Sequence, residues 1–349
     1  MRAFFQEGIF RLHLVKFSSK DIGVDLGTRN ILMALKDGEI VLREPSVIAV
    51  NKKTSEIVAS GNEALEKFEQ SPEIIKIIKP LKDGAIADYT ATSKLVLDCL
   101  EKIKIKYYIG KPRIVVGIPS GVTDVEKRAV ISVFMQSGAR EVYAVDEPLL
   151  AGIGAGLAVL KPEGKLVVDI GGGTTEVAAI SMGTILSSSS IKIGGDVIDE
   201  AIVEYLKQRR GIGISNSMAE DLKMKLGCAN ANLTELTQEI QARNIATGNP
   251  DDFVISSKDI EKAMEGSINK IIQAISKTLE NAPVEVVTDI IKDGIYLAGG
   301  GAQIRNLDNY IANYFGIKTY IADNPSEAVI TGAKKIIDNF DKYKIIFER

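Results

Sequence analysis

The stretch that decides the fold of this 349-residue chain reads Lys165-Leu-Val-Val-Asp-Ile-Gly-Gly-Gly-Thr-Thr-Glu-Val177. A similar stretch, Asp21-Ile-Gly-Val-Asp-Leu-Gly-Thr-Arg-Asn-Ile31, lies near the start of the chain. In each, an apolar strand reaches an Asp, and glycine and a hydroxyl residue follow before a second apolar run. Glycine lets the backbone turn sharply and brings amide N–H groups close to an anion. Two copies predict a duplicated fold in which two loops bind one nucleotide.

The aspartates of these stretches, Asp25 and Asp169, are the candidate metal ligands. A carboxylate at the end of a buried strand is costly unless it is paired or bound to a metal, and here it occurs at two equivalent places. Mg²⁺ keeps several waters and is bound by one or two carboxylates together with nucleotide phosphates. We therefore predict that both aspartates hold Mg²⁺ through water.

Composition narrows the class of protein. The chain is 45% hydrophobic and 26% charged, and its length suggests about two domains. Its net charge of −3 gives no overall attraction for nucleic acid, so no nucleic-acid partner is expected. One histidine, and two cysteines without metal-ligand spacing, argue against a zinc enzyme and fit a reducing cytoplasm. No apolar run is long enough to span a membrane, and Met1–Phe17 is a poor secretory signal.

Hydrophobic periodicity and turn signals predict strands that alternate with helices, which indicates an α/β fold. Strands are expected at 31–35, 40–42, 46–50, 113–118 and 142–145, and again from 165 and 295. Helices are expected at 90–104 and near 196–208, 218–226, 257–281 and 307–315. One further helix is expected to begin at a capping box formed by Thr123 and Glu126, and another to run from Asp146-Glu-Pro148 to about residue 157. The two halves of the chain join near 156–164.

Further stretches carry a resemblance to a known family. They are Glu44-Pro-Ser-Val-Ile-Ala49, Lys82-Asp-Gly-Ala-Ile-Ala-Asp88, Asp124-Val-Glu-Lys-Arg-Ala-Val130, Gly138-Ala-Arg-Glu-Val142 and Glu147-Pro148 with Ile153-Gly-Ala-Gly156. With Asp169–Val177, their order and spacing resemble the actin, Hsp70 and sugar-kinase superfamily of ATPases, and within it MreB, the bacterial actin homologue. The resemblance runs from about residue 20 to 340. It implies an actin-like, ribonuclease H-like fold with two domains around a nucleotide cleft.

On this resemblance we expect the following organisation. An N-terminal extension, a possible membrane anchor, covers 1–19, and the first actin-like domain covers 20–156 with a small inserted subdomain at about 51–90. The second domain covers 157–340 with a small inserted subdomain at about 200–270. A basic and apolar tail, 341–349, follows.

The resemblance also implies roles for the candidate site residues. The phosphate loops are Gly27, Thr28, Arg29 and Asn30, and Gly171, Gly172, Gly173 and Thr174. Glu147 orients the attacking water and Thr174 positions it, as the two catalytic residues. Glu220 and Lys223 lie at the nucleoside, Gly194 and Gly195 at the ribose, and Gly299, Gly300, Gly301 and Ala302 under the adenine.

Three of these assignments have simpler alternatives. Gly299–Gly301 can be only a strand-to-helix turn. Glu147, before Pro148, can merely start a helix, where a carboxylate favours the helix dipole. Glu220 and Lys223 can form a surface ion pair worth less than about 1 kcal/mol.

The first phosphate loop departs from the family at two positions, Arg29 and Ile31, where relatives usually have Ala and Thr. Arg29 either adds a cation near the phosphates, which would tighten nucleotide binding or slow product release, or points to solvent. Glu147 and Thr174 are retained, so we expect hydrolysis to survive, and the resemblance to filament-forming ATPases implies that it is slow.

The function implied is a Mg²⁺-dependent ATPase whose slow hydrolysis of ATP is coupled to its own polymerisation into filaments. Its expected location is the cytoplasm, at the inner face of the cell membrane, with cell-shape or wall-synthesis membrane proteins as further partners. An Hsp70-like chaperone ATPase is one alternative, although the stretches 44–49 and 82–88 favour MreB. A sugar or acetate kinase is another, but no motif offers a carboxylate base for an acceptor hydroxyl.

Three segments are candidate membrane contacts. Tyr107, Tyr108 and Ile109, among several lysines, occupy the position of the family's membrane-inserting loop, and suit an anionic leaflet. The alternative is a helix end whose aromatic rings pack inward. The N-terminal arm fits either an amphipathic helix or a strand, with an anchor favoured. The basic, apolar tail is a further, weaker candidate.

Overall fold

The structure of the protein is a computed structural model that describes residues 21–103, 110–230 and 236–347. The strands are β1 (Ile22–Leu26), β2 (Asn30–Leu35), β3 (Ile40–Pro45), β4 (Ile48–Asn51), β5 (Ile57–Ser60), β6 (Ile75–Ile78), β7 (Leu81–Lys82), β8 (Ala85–Ile86), β9 (Arg113–Ile118), β10 (Glu141–Asp146), β11 (Lys165–Ile170), β12 (Thr175–Ser181), β13 (Thr184–Ile191), β14 (Ile212–Gly213), β15 (Thr237–Asn244), β16 (Pro250–Ser256), β17 (Ile295–Ala298) and β18 (Thr319–Ile321).

The helices are α1 (Gly61–Gln70), α2 (Tyr89–Lys102), α3 (Asp124–Gln136), α4 (Glu147–Gly154), α5 (Gly195–Arg210), α6 (Asn216–Leu226), α7 (Ser257–Asn281), α8 (Val284–Asp293), α9 (Leu307–Phe315), α10 (Ala328–Asp338) and α11 (Phe340–Tyr343). Short 3₁₀ helices lie at Gly300–Gln303, Pro325–Glu327 and Lys344–Ile346.

Two five-stranded sheets with the same topology form the centre of the molecule. Their strand orders are β3-β2-β1-β9-β10 and β13-β12-β11-β17-β18. In each sheet the first three strands are antiparallel, and the last two run parallel to the central strand, β1 or β11. The predicted duplicated α/β fold is therefore confirmed. We call the parts built on these sheets the first half and the second half.

The turn after each central strand has the same length in both halves. Leu26 pairs with Ile31, and Ile170 pairs with Thr175. Each register leaves four residues in the turn, 27–30 in the first half and 171–174 in the second. We call these the first turn and the second turn. The repeat seen in the sequence is thus a repeat of one hairpin.

Helices α4 and α10 form a layer between the two sheets. Val145 of the first sheet, Val167 of the second and Ile336 of α10 belong to one buried hydrophobic cluster. The backbones of the two helices touch, because a Cβ added at Gly154 would lie 1.9 Å from the carbonyl oxygen of Ala328. The two halves are therefore joined through a tightly packed helix pair.

Two small sheets lie outside this centre. The sheet β5-β4-β6 packs against α1, and the sheet β14-β15-β16 packs against α6 and α7. The first has its own small hydrophobic cluster, which includes Ala49 and Ala64. The domain and subdomain boundaries stay predictions.

Most predicted elements occur where the pattern placed them. The helix expected at 257–281 is α7, and the capping box is present: Thr123 N–H donates to the Glu126 carboxylate at 2.8 Å, and Glu126 N–H donates to Thr123 Oγ1 at 3.3 Å. The hairpin of β15 and β16 was not predicted. In β15 only Ile240 and Ala242 are buried, so its hydrophobic alternation is too short to stand out.

The segments predicted to contact a membrane are mostly outside the described residues. This holds for Tyr107, Tyr108 and Ile109 and for the N-terminal arm. In the tail, Phe347 packs on Tyr143 with ring centroids 4.6 Å apart, so this aromatic ring faces the protein. Within 21–103, 110–230 and 236–347, no helix has the length and apolar character needed to cross a membrane.

Replacement of Gly154 by Ala should lower the thermal unfolding midpoint, because the new methyl group would force α4 and α10 apart. Overpacking of this kind costs about 1–3 kcal/mol. A methyl group added at Gly266, inside α7, would meet only open space, so Gly266→Ala should be neutral or stabilising by up to about 1 kcal/mol. Equal midpoints for the two variants would show that the helix contact is not tight.

Candidate active site

A cavity of about 420 Å³ lies between the two halves, and both turns line it. The predicted site residues that line it are Asp25, Gly27, Thr28, Arg29, Asn30, Glu147, Asp169, Gly171, Gly172, Gly173, Thr174, Gly195, Glu220, Lys223, Gly299, Gly300 and Gly301. Gly194 and Ala302 are not part of this lining, but both are buried and each adjoins a lining glycine in the sequence. The structure thus brings together residues that are distant in the sequence.

The sequence analysis missed several lining residues. Gly84 lies in one of the stretches that carried the family resemblance, but Met224, Gln303 and Pro325 had no signal of their own. Met224 was missed because the recognisable pattern in this helix is the pair Glu220 and Lys223, to which Met224 does not belong. Pro325 is separated in the sequence from the loop Gly299–Gly301, which we call the glycine loop. The two become neighbours only in the folded protein, where Gly299 N–H donates to the Pro325 carbonyl oxygen at 2.8 Å.

The two turns touch each other across the cavity. A Cβ added at Gly173 would lie 2.7 Å from Thr28 Oγ1, and one at Gly172 would lie 2.6 Å from Arg29 Cγ. Side chains at these glycines would push the halves apart. Glycine is therefore required in the second turn by the close approach of the first turn.

The start of α5 is tied to the second turn. Gly195 N–H donates to the Gly171 carbonyl oxygen at 3.0 Å, and Asp196 N–H donates to the Gly172 carbonyl oxygen at 2.9 Å. A Cβ at Gly194 would lie 2.5 Å from that same Gly172 oxygen. In this structure, Gly194 allows a close backbone approach to the second turn.

The glycines after β17 have different local requirements. A Cβ at Gly299 would lie 2.3 Å from the Ile170 carbonyl oxygen, and one at Gly301 would lie 2.2 Å from Ile170 Cγ2. These two positions need glycine for packing against β11. A Cβ at Gly300, which lines the cavity, would meet nothing within 4 Å. Of these three glycines, Gly300 is the one for which packing against neighbouring atoms does not require the absence of a side chain.

Carboxylates from both halves share the cavity. Burial raises the pKa of Asp25 to about 7, helped by the charge of Asp169, and burial likewise raises the pKa of Asp169 to about 7. Burial raises the pKa of Glu147 well above its ordinary value, and the charges of Asp25 and Asp169 add to this. These groups therefore repel one another when ionised.

This arrangement fits a divalent cation. A cation beside Asp25 and Asp169 would favour their ionised forms and relieve the repulsion. Among the residues that the structure describes, no three His, Cys, Asp or Glu side chains are placed to enclose a metal ion. An ion at these two aspartates would thus take further ligands from phosphate and water, as Mg²⁺ does.

Glu176 is a further buried carboxylate that the sequence analysis missed. It is 1% exposed and accepts hydrogen bonds from Ser120 N–H at 3.0 Å and from Ser190 Oγ at 2.7 Å. Burial outweighs these hydrogen bonds and raises the pKa of Glu176 to about 7. Because Ser120 follows β9, Glu176 also connects the second half to the first.

Arg29 crosses the cavity instead of pointing to solvent. Its Nε lies 2.6 Å from Asp196 Oδ1, and its terminal nitrogens pair with Asp199 and Glu220. Burial acts to raise the pKa of Asp196, but Arg29 and Lys79 more than offset this and hold the pKa below its usual value. The solvent alternative for Arg29 is therefore excluded.

Glu220 and Lys223 do not form the simple surface pair considered above. Glu220 pairs with Arg29, whereas Lys223 Nζ lies 2.7 Å from Asp199 Oδ1 and donates to the Gly195 carbonyl oxygen at 3.0 Å. Burial lowers the pKa of Lys223, and Asp199 opposes this shift. Asp199 is 2% exposed and had no sequence signal. It forms ion pairs with both Arg29 and Lys223 and so holds these two side chains in place.

A duplicated mixed-sheet fold with a cavity between two Asp-containing glycine turns defines an actin-like protein. The comparisons agree with this class. The solved structure of MreB 5 of Spiroplasma citri bound to AMPPNP matches with a TM-score of 0.88 and 35% identity, covering 94% of this chain and 98% of that one. The MamK double helical filament matches with a TM-score of 0.76 at 21% identity, which supports the fold alone.

The chain belongs to the MreB/Mbl family. The family model for MreB/Mbl protein matches residues 19–345. The cell shape-determining protein Mbl of Bacillus subtilis is 39% identical over 324 residues, which are 93% of this chain and 97% of the relative. The cell shape-determining protein MreB of Escherichia coli is 38% identical over 330 residues, 93% of this chain and 95% of the relative.

Replacement of Asp169 by Asn should stabilise the metal- and nucleotide-free protein at about pH 8. The folded-state pKa of Asp169, about 7, lies above the value near 4 of an unfolded chain, so its contribution to stability is fully present below about pH 4 and is lost as pH rises through 7. Asn stays neutral. The thermal midpoint of the variant should exceed that of the wild type at about pH 8, and the gap should shrink at about pH 5.5.

The exposed Asp323, outside the cavity, provides the matched control. Asp323→Asn should leave the midpoint close to that of the wild type at both pH values. A variant Asp169→Asn that melts below the wild type at the higher pH would contradict the repulsion described for the cavity.

Proposed function

We propose that this protein is an ATPase that binds ATP with Mg²⁺ in the cavity and polymerises into filaments. The observation that carries this proposal is the meeting of two equivalent aspartates and two glycine turns at one cavity, in a chain of the MreB/Mbl family. Support comes from Spiroplasma citri MreB 5, whose solved structures contain AMPPNP and ADP.

The phosphates would lie between the two turns. The backbone N–H groups at Gly27, Gly172 and Gly173, with the hydroxyls of Thr28 and Thr174, are the donors available there. Fixed backbone donors hold an anion without the loss of side-chain entropy. This supports the assignment of both turns as phosphate loops.

The nucleoside would occupy the part of the cavity lined by α6 and the glycine loop. Glu220 and Lys223 are held in place by partners on other elements, Arg29 and Asp199. Gly300 leaves space for a flat base, because no other atom lies near its missing side chain. Gly195, at the start of α5, lines the intervening wall and is our candidate for the ribose side.

Asp25 and Asp169 are the residues that would hold Mg²⁺, which when bound offsets negative charge on the phosphates. Their positions at the ends of β1 and β11 keep them fixed with respect to both turns. Glu147 faces the same cavity from the start of α4, where burial holds its pKa high. Its carboxyl group is therefore placed to orient the attacking water in the cavity.

Thr174 is the second catalytic residue in this proposal. It is 8% exposed and ends the second turn, where its carbonyl oxygen accepts from Gly171 N–H at 2.9 Å. That hydrogen bond fixes the backbone from which the hydroxyl projects. Hydrolysis that depends on positioning instead of covalent chemistry suits such a fixed group.

Glu147→Ala should keep ATP binding and lose phosphate release by at least about a hundredfold, the contribution of a positioned acid–base group. Binding is measured with a fluorescent ATP analogue, and release with a phosphate sensor in the presence of Mg²⁺. Glu141, at the far end of β10 and outside the cavity, is the matched control, and Glu141→Ala should hydrolyse ATP at the wild-type rate. An unchanged rate for Glu147→Ala would remove Glu147 from the mechanism.

The filament is proposed to assemble in the cytoplasm at the inner face of the cell membrane, with slow hydrolysis coupled to assembly. Cell-shape or wall-synthesis membrane proteins are its proposed further partners. The relatives named above are cell shape-determining proteins, which supports this role. The proposed membrane contact is made by Tyr107, Tyr108 and Ile109 and is based on the sequence alone. The lysines that flank these residues favour a membrane with anionic lipids.

Electron microscopy of the protein with ATP on vesicles of phosphatidylglycerol and neutral lipid tests polymer and membrane together. Filaments should line the anionic vesicles, and replacement of Tyr107, Tyr108 and Ile109 by Ser should release them into solution without preventing assembly. Phosphate release without an added acceptor separates this function from that of a sugar kinase. A protein that hydrolyses ATP but never pellets would favour the chaperone alternative.

A further inference from the structure

A group of six charged residues crosses the cavity at the first turn. Arg29 pairs with Asp196, Asp199 and Glu220, Lys79 Nζ lies 3.1 Å from Asp196 Oδ2, and Lys223 pairs with Asp199. We call these residues the cross-cavity cluster. Its three cations and three anions balance, so it carries no net charge.

The cluster joins the two halves of the molecule. Arg29 lies in the first turn and Lys79 follows β6, whereas Asp196 and Asp199 lie on α5 and Glu220 lies on α6. Four of its ion pairs therefore have one partner in each half. Separation of the halves would break all four at once.

Burial makes part of this cluster strong. The Asp199 side chain is 3% exposed and the Arg29 side chain is 27% exposed, so their charges would be costly to leave unpaired. The Glu220 side chain is 39% exposed, and its pair with Arg29 is screened by solvent. Asp199 has one oxygen paired with Arg29 and the other with Lys223.

The geometry uses every nitrogen of the Arg29 guanidinium. Nε and both terminal nitrogens each contact a different carboxylate. The stem of the side chain lies against Gly172 of the second turn, where a Cβ would meet Arg29 Cγ, Cδ and Cβ. Arg29 thus binds the opposite half through all three of its nitrogens. A lysine could not reproduce this, because an ammonium is a single point of charge.

We propose that Arg29 is an ionic latch that keeps the two halves closed and slows the release of nucleotide. The inference rests on the ATP binding proposed above and names what regulates that site. With nucleotide between the turns, opening the cavity requires loss of the four cross-cavity ion pairs. The same pairs hold Glu220 beside the cavity, so closure and the nucleoside side of the site are linked.

The test compares the release of a fluorescent ADP from wild-type protein with its release from Arg29→Ala in stopped-flow displacement. Release should be about tenfold faster in the variant, a size in keeping with loss of a part-buried charged hydrogen-bond network. Salt should speed release from the wild type more than from the variant, because only the wild type retains the full set of ion pairs. Arg29→Lys should lie between the two.

A matched control and a double-mutant cycle make the assignment specific. Arg43 pairs with Glu327 outside the cavity and its side chain is 53% exposed, so Arg43→Ala should release ADP at the wild-type rate. Asp196→Asn should speed release in the wild type and do so by a smaller factor in Arg29→Ala, since both changes remove the same contact. Circular dichroism confirms that each variant is folded.

A readout without nucleotide completes the test. Hydrogen exchange at the amides of 171–174 should be faster in Arg29→Ala than in the wild type or Arg43→Ala, because the second turn loses the side chain that covers Gly172. Equal ADP release from wild type and folded Arg29→Ala would overturn the latch and leave ATP binding standing. A wild-type protein that binds neither ATP nor ADP would overturn both proposals.

Discussion

Negative charge placed at the ends of two buried strands is the constraint on which the rest of this structure depends. Asp25 and Asp169 are the penultimate residues of β1 and β11, and each carboxylate lies in an environment that raises its pKa to about 7. Two such groups facing one cavity oppose the approach of the halves. The fold brings the halves together nevertheless, through contacts that surround the acidic centre on several sides.

Those contacts are of two kinds. On one side α4 and α10 pack backbone to backbone, a contact that glycine makes possible at Gly154 and Gly332. On the other side the turns meet at Gly172 and Gly173, and ion pairs extend from Arg29 to α5 and α6. The helix layer is apolar and insensitive to salt, whereas the charged side is polar and screened. Raising the salt concentration should therefore weaken the contact between the halves at the ion pairs of Arg29 and leave the contact between α4 and α10 unchanged.

Much of the fold could be predicted from the sequence because its information is local. Apolar runs that end in Asp and glycine, the capping box at Thr123 and the long periodic helix α7 each depend on residues within a few positions. The two hairpin turns repeat in the sequence, and this repeat was enough to predict the duplicated sheet. The polar strand β15 lacked such a pattern and was missed.

The candidate site was predictable to the extent that its residues lie in recognisable patterns. Asp25, Glu147 and Asp169 do, and the structure places them at one cavity. The partners of Arg29 could not be found, because Asp196 and Asp199 have ordinary helical neighbours and become adjacent to Arg29 only after folding. Whether an arginine faces solvent or a carboxylate on another element is decided by tertiary structure alone.

The position of α10 has a consequence for how the chain is made. This helix contacts β1, β2 and β9 of the first half, and Ile330 forms a buried cluster with Leu32 and Ala34. The strands leave the ribosome early and the helix that covers them leaves late. A nascent chain therefore carries an uncovered apolar sheet face until α10 has been made, and surfaces of this kind promote aggregation.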